Sequence, residues 1–324
     1  MQDRFGRKID YMRVSVTDRC NLRCVYCMPK QGVDSIPHDD ILSYEEIVRV
    51  VRAAASLGIE KIKITGGEPL VRKGVAALVR MVKAIPGIRT VTITTNGVLF
   101  PQYGEELAAA GLDGVNFSLD SLDRQTFESL TRFDALESVA EGIRLALRLG
   151  LKTKLNCVPM QTQLSSDRMN IAALARDNPL DVRFIEMMPI GLGCDFETMS
   201  NDDVFKELAD AFGQPVRSKI SHGSGPAVYY DFQGFQGSIG FISALSHSFC
   251  GSCNRIRLTA DGELKPCLCY QDGLALKPLL RSGVSDDKLT GVMADVIEGK
   301  PEKHLLGKTA SSAQETRKMV QIGG

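Results

Sequence analysis

The first 190 residues alternate between short apolar runs and helix-forming stretches, and this alternation restricts the fold more than any other feature. Between successive runs the chain is long enough for one helix, which is the arrangement of repeated βα units around a parallel sheet. Six runs rich in Val and Ile predict β-strands, at residues 12–16, 61–65, 90–95, 114–119, 152–158 and 182–187.

Two of the intervening stretches show how the helices begin and end. In residues 43–57, Ser43 and Glu46 have the spacing of a capping box, and apolar residues then recur on one face. Residues 136–149 have the same periodicity, and a glycine follows each stretch. Six βα units predict an α/β fold with a partial (β/α)6 barrel of the TIM type. A doubly wound open sheet is the main alternative, because the number of strands alone does not close a barrel.

Small polar residues or glycines follow the predicted strands. The carboxyl ends of the strands form the active-site face in parallel α/β folds, so we expect one site at this edge. The run Gly66-Gly67-Glu68-Pro69 follows the second predicted strand. Two glycines allow a backbone to approach a ligand closely, and Glu68 offers an acceptor for an ammonium group. Alone, such a turn is more often only a turn.

Three cysteines follow the first predicted strand in a C-x3-C-x2-C pattern: Cys20, Cys24 and Cys27. Three thiolates on one short loop can bind three irons of a cubane iron–sulfur cluster and leave the fourth iron open. A structural zinc site requires four ligands, usually in C-x2-C pairs. The pattern therefore favours an iron–sulfur centre with an open iron.

A second cysteine group lies between residues 250 and 269: Cys250, Cys253, Cys267 and Cys269. Asp261-Gly262 predicts a hairpin turn that brings Cys267 back beside the first two thiols. Two interpretations stay open from the residues alone. All four thiols could form a zinc ribbon, or the first three could bind a second cubane with an open iron.

Arg255 and Arg257 lie within this segment, shortly after Cys253, and alternate with Ile256 and Leu258. In a strand, this alternation places both guanidinium groups on one face and both aliphatic side chains on the other. Two forked cations beside a metal ligand suit a phosphate chain, whereas the commoner use of paired arginines is a solvated strand face.

Composition excludes several other classes of function. The chain has 324 residues, is 44% hydrophobic and 24% charged, and contains 39 basic and 39 acidic residues. This balance argues against bulk electrostatic binding to nucleic acid or membrane. The sequence has neither an apolar run long enough for a transmembrane helix nor a recognisable signal peptide. Its nine cysteines, seven of them in the two groups, indicate metal binding in a reducing, cytoplasmic compartment rather than a disulfide framework.

Together these patterns resemble the GTP 3′,8-cyclases of molybdenum cofactor biosynthesis, a family of radical S-adenosylmethionine (SAM) enzymes. The resemblance rests on both cysteine patterns, the R-x-R, the six βα units, the runs at 64–69 and 117–120, and the final Gly323-Gly324. It extends over essentially the whole chain from Arg13. It implies a lyase that uses SAM and two [4Fe–4S] clusters to convert GTP to (8S)-3′,8-cyclo-7,8-dihydroguanosine 5′-triphosphate.

The resemblance also implies roles for individual residues. The first cluster would be held by Cys20, Cys24 and Cys27, and the second, substrate-binding cluster by Cys250, Cys253 and Cys267. SAM would be contacted by Tyr26, Gly67, Ser118 and Met188. GTP, mainly its triphosphate, would be held by Arg13, Lys63, Thr94, Lys154, Arg255, Ile256 and Arg257. Catalytic roles would fall to Arg183, Gly323 and Gly324.

Some features depart from the family pattern or extend beyond the site. Lys63 stands where the family suggests arginine, the chain has no tryptophan, and Cys269 is an additional thiol. We expect a radical SAM domain over residues 1–190 and a C-terminal region with the second cluster over 191–324. The resemblance implies transfer of the product to cyclic pyranopterin monophosphate synthase, an external electron donor and a homodimer. The rival functions are a peptide-modifying radical SAM enzyme with an auxiliary cluster and a zinc-stabilised binding protein.

Overall fold

A computed structural model describes residues 1–306 and 314–323 of the chain. In these residues, twelve strands form one sheet. The strands are β1 Tyr11–Ser15, β2 Lys61–Thr65, β3 Thr90–Thr95, β4 Gly114–Ser118, β5 Lys152–Cys157, β6 Asp181–Ile185, β7 Val216–Arg217, β8 Val228–Asp231, β9 Ile239–Ile242, β10 Arg255–Leu258, β11 Glu263–Lys265 and β12 Leu274–Ala275. All six predicted strands are confirmed, with small shifts at their ends.

The helices of the described residues lie between these strands and after them. They are α1 Tyr44–Ser56, α2 Val75–Lys83, α3 Phe100–Ala109, α4 Arg124–Thr131, α5 Leu136–Arg148, α6 Ser165–Asp177, α7 Asn201–Phe212, α8 Lys277–Arg281, α9 Asp286–Glu298 and α10 Met319–Ile322. The predicted capping box of α1 is confirmed, since Glu46 N donates to Ser43 Oγ at 3.1 Å and Ser43 N donates to Glu46 at 2.7 Å. The fold has no helix, among those described, that is long and apolar enough to cross a membrane.

The sheet is a singly wound, open version of the predicted barrel. Strands β1 to β6 are parallel and lie side by side in chain order. A doubly wound sheet would reverse its strand order at a switch point, which this one does not do. At the ends of the strand order, β7 and β12 do not pair with each other in the described residues, so the barrel is partial.

The C-terminal region extends this sheet at both sides. Strand β10 pairs in parallel with β1, and β9 pairs in parallel with β6. The predicted hairpin at Asp261-Gly262 is confirmed, because β10 and β11 are antiparallel neighbours on either side of it. Residues beyond 190 therefore help to form the same curved surface as the six βα units.

Strand periodicity gives the sheet one apolar and one polar face. Val14, Ile64 and Ile93 are fully buried in the apolar core, as expected for alternate residues of strands covered by helices. On the other face, Arg13 is level with Lys63 of β2 and with Arg257 of β10. The concave side of the sheet therefore presents cations and other polar groups to a shared interior.

Candidate active site in the sheet interior

Both cysteine groups line one cavity of about 350 Å³ on the polar face of the sheet. The loop with Cys20, Cys24 and Cys27 follows the carboxyl end of β1. Cys253, in contrast, directly precedes β10, which runs parallel to β1. The cavity therefore extends along the strands from their carboxyl ends toward their amino ends, and the second group lies at the edge opposite to the first.

Glycine allows the first cysteine loop to pack closely on the end of β2. A Cβ atom on Gly66 would lie 2.6 Å from Thr17 O, and one on Gly67 would lie 2.3 Å from Arg19 O. Both distances are far below van der Waals contact, so a larger residue would displace the loop backbone. Gly67 N also donates to Thr17 O at 2.6 Å. The two glycines thus fix the height of the cysteine loop above the sheet.

Glu68 joins the ends of two strands and also lines the first cavity. Its carboxyl group is buried and accepts hydrogen bonds from Leu70 N at 3.0 Å, Thr95 Oγ1 at 2.7 Å and Asn96 N at 2.7 Å. Burial raises the pKa of Glu68 to about 7 despite these bonds. Three protein donors leave a carboxylate with further acceptor capacity, so the predicted role of Glu68 as an acceptor for an ammonium group stays a prediction.

All four residues predicted to contact SAM lie around this cavity: Tyr26, Gly67, Ser118 and Met188. The Tyr26 hydroxyl donates to Asp120 Oδ2 at 2.6 Å, and Asp120 Oδ1 accepts from Val158 N at 2.8 Å. Asp120 was not among the predicted site residues, although its position directly after the fourth predicted strand is a signal that could have identified it. It connects the cysteine loop to the ends of β4 and β5.

Two further residues beside the cysteines were not among the predicted site residues. Asn96 Nδ2 donates to Asn21 Oδ1 at 2.8 Å and lies 3.7 Å from Cys20 Sγ. Lys300 Nζ donates to Arg255 O at 2.9 Å and lines the cavity near the second group. Lys300 follows α9 and lies far from any motif, so only the fold brings it to the site.

The two cysteine groups have opposite electrostatic surroundings. Burial raises the pKa of Cys20 to about 11 and that of Cys27 to about 12. In the second group, a hydrogen bond from the Cys269 thiol lowers the pKa of Cys267 to about 5. Burial alone would raise this pKa, and the positive charge of Lys300 lowers it further. Burial tends to raise the pKa of Cys253, but the positive charges of Arg255 and Lys300 outweigh this effect and lower it. Thiolate is therefore favoured at Cys253 and Cys267, whereas the hydrogen bond to Cys267 raises the pKa of Cys269.

The three thiols of the first loop match the donor set of a cubane iron–sulfur cluster. Among the described residues, no three His, Cys, Asp or Glu side chains converge on one point where a metal ion could sit. For Cys250, Cys253, Cys267 and Cys269, a zinc ribbon and a second cubane both remain open. In a cubane, each cysteine binds a different iron, so three separated thiols on one loop suffice.

A second cavity of about 370 Å³ lies on the same face, at the amino ends of the parallel strands. Three predicted substrate or catalytic residues line it: Lys63, Lys154 and Arg183. Lys61 lines it as well and was missed, although it alternates with Lys63 along one strand face. Its ammonium group pairs with Asp10 at 2.8 Å. The basic face of β2 therefore points into a cavity rather than into solvent.

The cations of this interior are buried close to one another. Lys63 and Arg183 are 7% and 8% exposed, and the Asn116 side-chain oxygen accepts hydrogen bonds from both. Burial, and then the charges of Arg183 and Arg13, lower the pKa of Lys63 well below its usual value. Arg183 Nε and Thr94 Oγ1 are buried without a hydrogen-bond partner. Buried like charges and unused polar atoms indicate a site built for an anion.

The remaining predicted cations line the first cavity. Arg13, Arg255 and Arg257 line the first cavity together with Thr94. Burial, and then the charge of Arg13, lower the pKa of Arg257 to about 9. The predicted alternation is confirmed. The side chain of Ile256 is fully buried in the hydrophobic core, so its predicted contact with GTP stays a prediction that could involve only its backbone.

The C-terminal tail enters the site through α10. Met319 and Val320 line the first cavity, and Gly323 O accepts a hydrogen bond from Arg257 Nη1 at 3.2 Å. Gly323 has a left-handed backbone with φ +70°. Gly324, predicted to be catalytic, lies outside the described residues.

The chain matches two family descriptions. Residues 14–175 match the Radical SAM superfamily, and residues 180–306 match Molybdenum Cofactor Synthesis C. The GTP 3′,8-cyclase of Clostridium perfringens strain 13 is 41% identical over 324 residues, with all of both chains covered. That of Desulforamulus reducens is 44% identical over 329 residues, again with full coverage of both.

The solved structures show the same fold in more distant proteins. SuiB of Streptococcus suis bound to its precursor peptide SuiA has a TM-score of 0.59 at 16% identity, covering 98% of this chain and 76% of that one. SuiB bound to S-adenosylmethionine has a TM-score of 0.56, also at 16% identity, covering 97% and 75%. At this identity the likeness concerns the fold alone.

Proposed function

Because the chain belongs to the GTP 3′,8-cyclase family of radical SAM enzymes, we propose that its sheet interior converts GTP to (8S)-3′,8-cyclo-7,8-dihydroguanosine 5′-triphosphate, the first step of molybdenum cofactor biosynthesis. One observation supports this assignment most strongly. A group of three cysteines and a group of four line a single cavity, and a cation-lined cavity lies beside it on the same sheet face.

At the carboxyl end of the strands, the first loop would hold a [4Fe–4S] cluster through Cys20, Cys24 and Cys27. When bound, such a cluster supplies the electron that cleaves SAM to methionine and the 5′-deoxyadenosyl radical. Tyr26, Gly67, Ser118 and Met188 would position SAM. The Tyr26–Asp120 hydrogen bond and the close packing at Gly67 hold this loop in a fixed position relative to the sheet. The residues around the cluster are therefore already arranged before SAM binds.

GTP would lie along the interior with its phosphates among the buried cations. The reaction removes the hydrogen from C3′ of the ribose, joins C3′ to C8 of guanine, and ends with the addition of an electron and a proton. A radical reacts with whichever atom lies nearest, so the nucleotide must be held firmly at both ends. Arg13, Lys63, Thr94, Lys154, Arg255 and Arg257 would hold the triphosphate side.

At the amino end of β10, we propose a second [4Fe–4S] cluster on Cys250, Cys253 and Cys267 that binds the guanine. The charges of Arg255 and Lys300 beside Cys253, and the hydrogen bond from Cys269 to Cys267, support thiolate ligands there. Arg183 and the Gly323-Gly324 tail would assist the reaction itself. Arg183 extends its unpartnered Nε into the cation cluster, and Gly323 lies against Arg257.

Several attributes of the enzyme come only from the family resemblance. We propose lyase chemistry, an external electron donor, a homodimer, and transfer of the product to cyclic pyranopterin monophosphate synthase. Nine free cysteines and oxygen-sensitive clusters require a reducing compartment, which favours the cytoplasm. We assign the SAM domain to residues 1–190 and the second-cluster region to 191–324.

The test is one anaerobic assay on reconstituted enzyme with SAM, a strong reductant and GTP deuterated at C3′. We expect deuterium in the 5′-deoxyadenosine by mass spectrometry, together with the cyclised nucleotide. A Cys27→Ala variant should form neither product. Unlabelled deoxyadenosine would remove GTP as the substrate, and its complete absence from iron-loaded enzyme would contradict radical SAM chemistry.

A further inference from the structure

A short segment, residues 218–225, covers the amino-end opening of the cation-lined cavity. Five of its residues, from Ser221 to Gly225, line that cavity. The segment precedes β8 and joins it to β7. We call residues 218–225 the floor segment. It belongs to neither cysteine group and to none of the motifs discussed above.

The floor segment is attached at one side through His222. The imidazole Nδ1 lies 3.0 Å from Asp181 Oδ2, and Nε2 lies 3.1 Å from Ser218 Oγ. The ring also stacks on Tyr229 with a centroid distance of 4.1 Å and an angle of 18°. Both ring nitrogens and one ring face are therefore used to hold the segment against β6 and β8.

The other side of the floor segment reaches the opposite part of the sheet. Ser224 O accepts from Asn254 Nδ2 at 3.4 Å, and the same amide donates to Asp10 Oδ1 at 2.7 Å. Asn254 directly follows Cys253, and Asp10 directly precedes β1. The segment therefore extends from β6 to the β1–β10 pair, across the amino ends of the strands.

Lys154 is the cation that the floor segment holds in place. Its ammonium group lies 2.8 Å from Asp181 Oδ2 and donates to Tyr229 Oη at 2.9 Å and to His222 O at 2.5 Å. Three acceptors match the three N–H groups of a lysine ammonium. One of the three is the floor backbone itself, and a second is the carboxylate to which the His222 ring is bound.

We propose that the floor segment closes the phosphate end of the substrate site and that His222 is a positioning residue for Lys154. This proposal rests on the proposed function, since it takes the ligand of the cavity to be the triphosphate of GTP. The Asp181 carboxylate is shared between the His222 ring and Lys154. Without the ring, the floor carbonyl is no longer fixed, and Asp181 competes more strongly with phosphate for Lys154.

The test compares His222→Ala with wild-type enzyme, both reconstituted and anaerobic, using GTP and GMP as probes. Loss of one bond to a charged group is expected to weaken GTP binding and raise its KM about tenfold. The maximal rate of 5′-deoxyadenosine formation at saturating GTP should stay the same, and GMP binding should change less than twofold. His222→Gln, which can still donate to Asp181, should recover most of the GTP affinity.

The chain offers a matched control in His247. Its Nε2 lies 3.1 Å from both carboxylate oxygens of Asp202, but this pair is exposed and lies outside both cavities. His247→Ala should leave the KM for GTP unchanged. Equal weakening of GTP and GMP, or a lower maximal rate at unchanged KM, would overturn the positioning role. A wild-type enzyme that does not act on GTP would instead refute the proposed function.

Discussion

Replacing Gly323 with alanine would test whether the tail must occupy its present place beside Arg257. The residue has φ +70°, and an alanine in the left-handed region costs about 1–2 kcal/mol. Its Cβ would also lie 2.7 Å from Ser15 Cβ, whereas carbon atoms rest about 3.5–4.0 Å apart. Ser15 is 2% exposed and paired with Thr65 inside the sheet, so the tail rather than the strand must move.

The two effects together are large enough to displace the tail. An overpacked contact adds about 1–3 kcal/mol to the backbone strain, which gives about 2–5 kcal/mol in total. Since about 1.4 kcal/mol is a factor of ten, docking of the tail should weaken by roughly 30-fold or more. The hydrogen bond from Arg257 to Gly323 O would be lost with it.

The assay measures cyclised nucleotide and 5′-deoxyadenosine in the same reaction. We expect Gly323→Ala to keep cleaving SAM but to make at least about tenfold less cyclised product, because the displaced tail no longer orders Arg257. Gly150→Ala is the matched control: it has φ +68° after a helix, but its Cβ would meet no atom within 4 Å. Full product formation by Gly323→Ala would refute this reasoning.

Three further predictions concern the rest of the site. In Gly67→Ala the new Cβ would lie 2.3 Å from Arg19 O, so this variant should lose the first cluster and bind about half as much iron. Gly251→Ala, whose Cβ would meet open space, should keep its iron. Equal iron contents in the two variants would contradict this prediction. The pKa of Glu68 is raised from 4.5 to about 7, so the folded state binds this proton more tightly than the unfolded state does. The free energy of unfolding, measured by denaturant titration, should therefore fall by about 3 kcal/mol at most between pH 4.5 and pH 7. Glu68→Gln should flatten that dependence on pH. Lys63→Met removes a buried cation from a basic cluster, so the nucleotide-free protein should melt about 2–4 °C higher. Added GTP should stabilise this variant less than it stabilises the wild-type enzyme. A lower melting temperature would contradict the repulsion that we infer among the buried cations.

The central fold was predictable because it depends on local patterns. Strand and helix periodicity, a capping box and terminal glycines specify the six βα units without knowledge of distant contacts. The addition of β9 and β10 to the same sheet was not predictable. Their pairing joins residues that are far apart in the chain, and short strands carry little information about their partners.

The site was predictable in its residue types but less so in their use. Both cysteine patterns and the basic strand faces point to the interior from the sequence alone. The hydrogen bonds that Glu68 accepts from backbone groups were not predictable, because a sequence does not show which backbone groups surround a carboxylate. Lys300 and His222 reach the interior only through the tertiary fold.

The pairing of β1 with β10 has a consequence for the synthesis of this protein. Asp10 and Asn254, hydrogen-bonded beside that pair, are 244 positions apart. While the chain grows on the ribosome, the first cysteine loop emerges long before β10 exists, and one edge of β1 stays uncovered until then. Such long-range pairing slows folding and exposes a strand edge to other chains. An early-loaded first cluster would therefore wait, unprotected by the rest of the cavity, until almost the entire polypeptide has been translated.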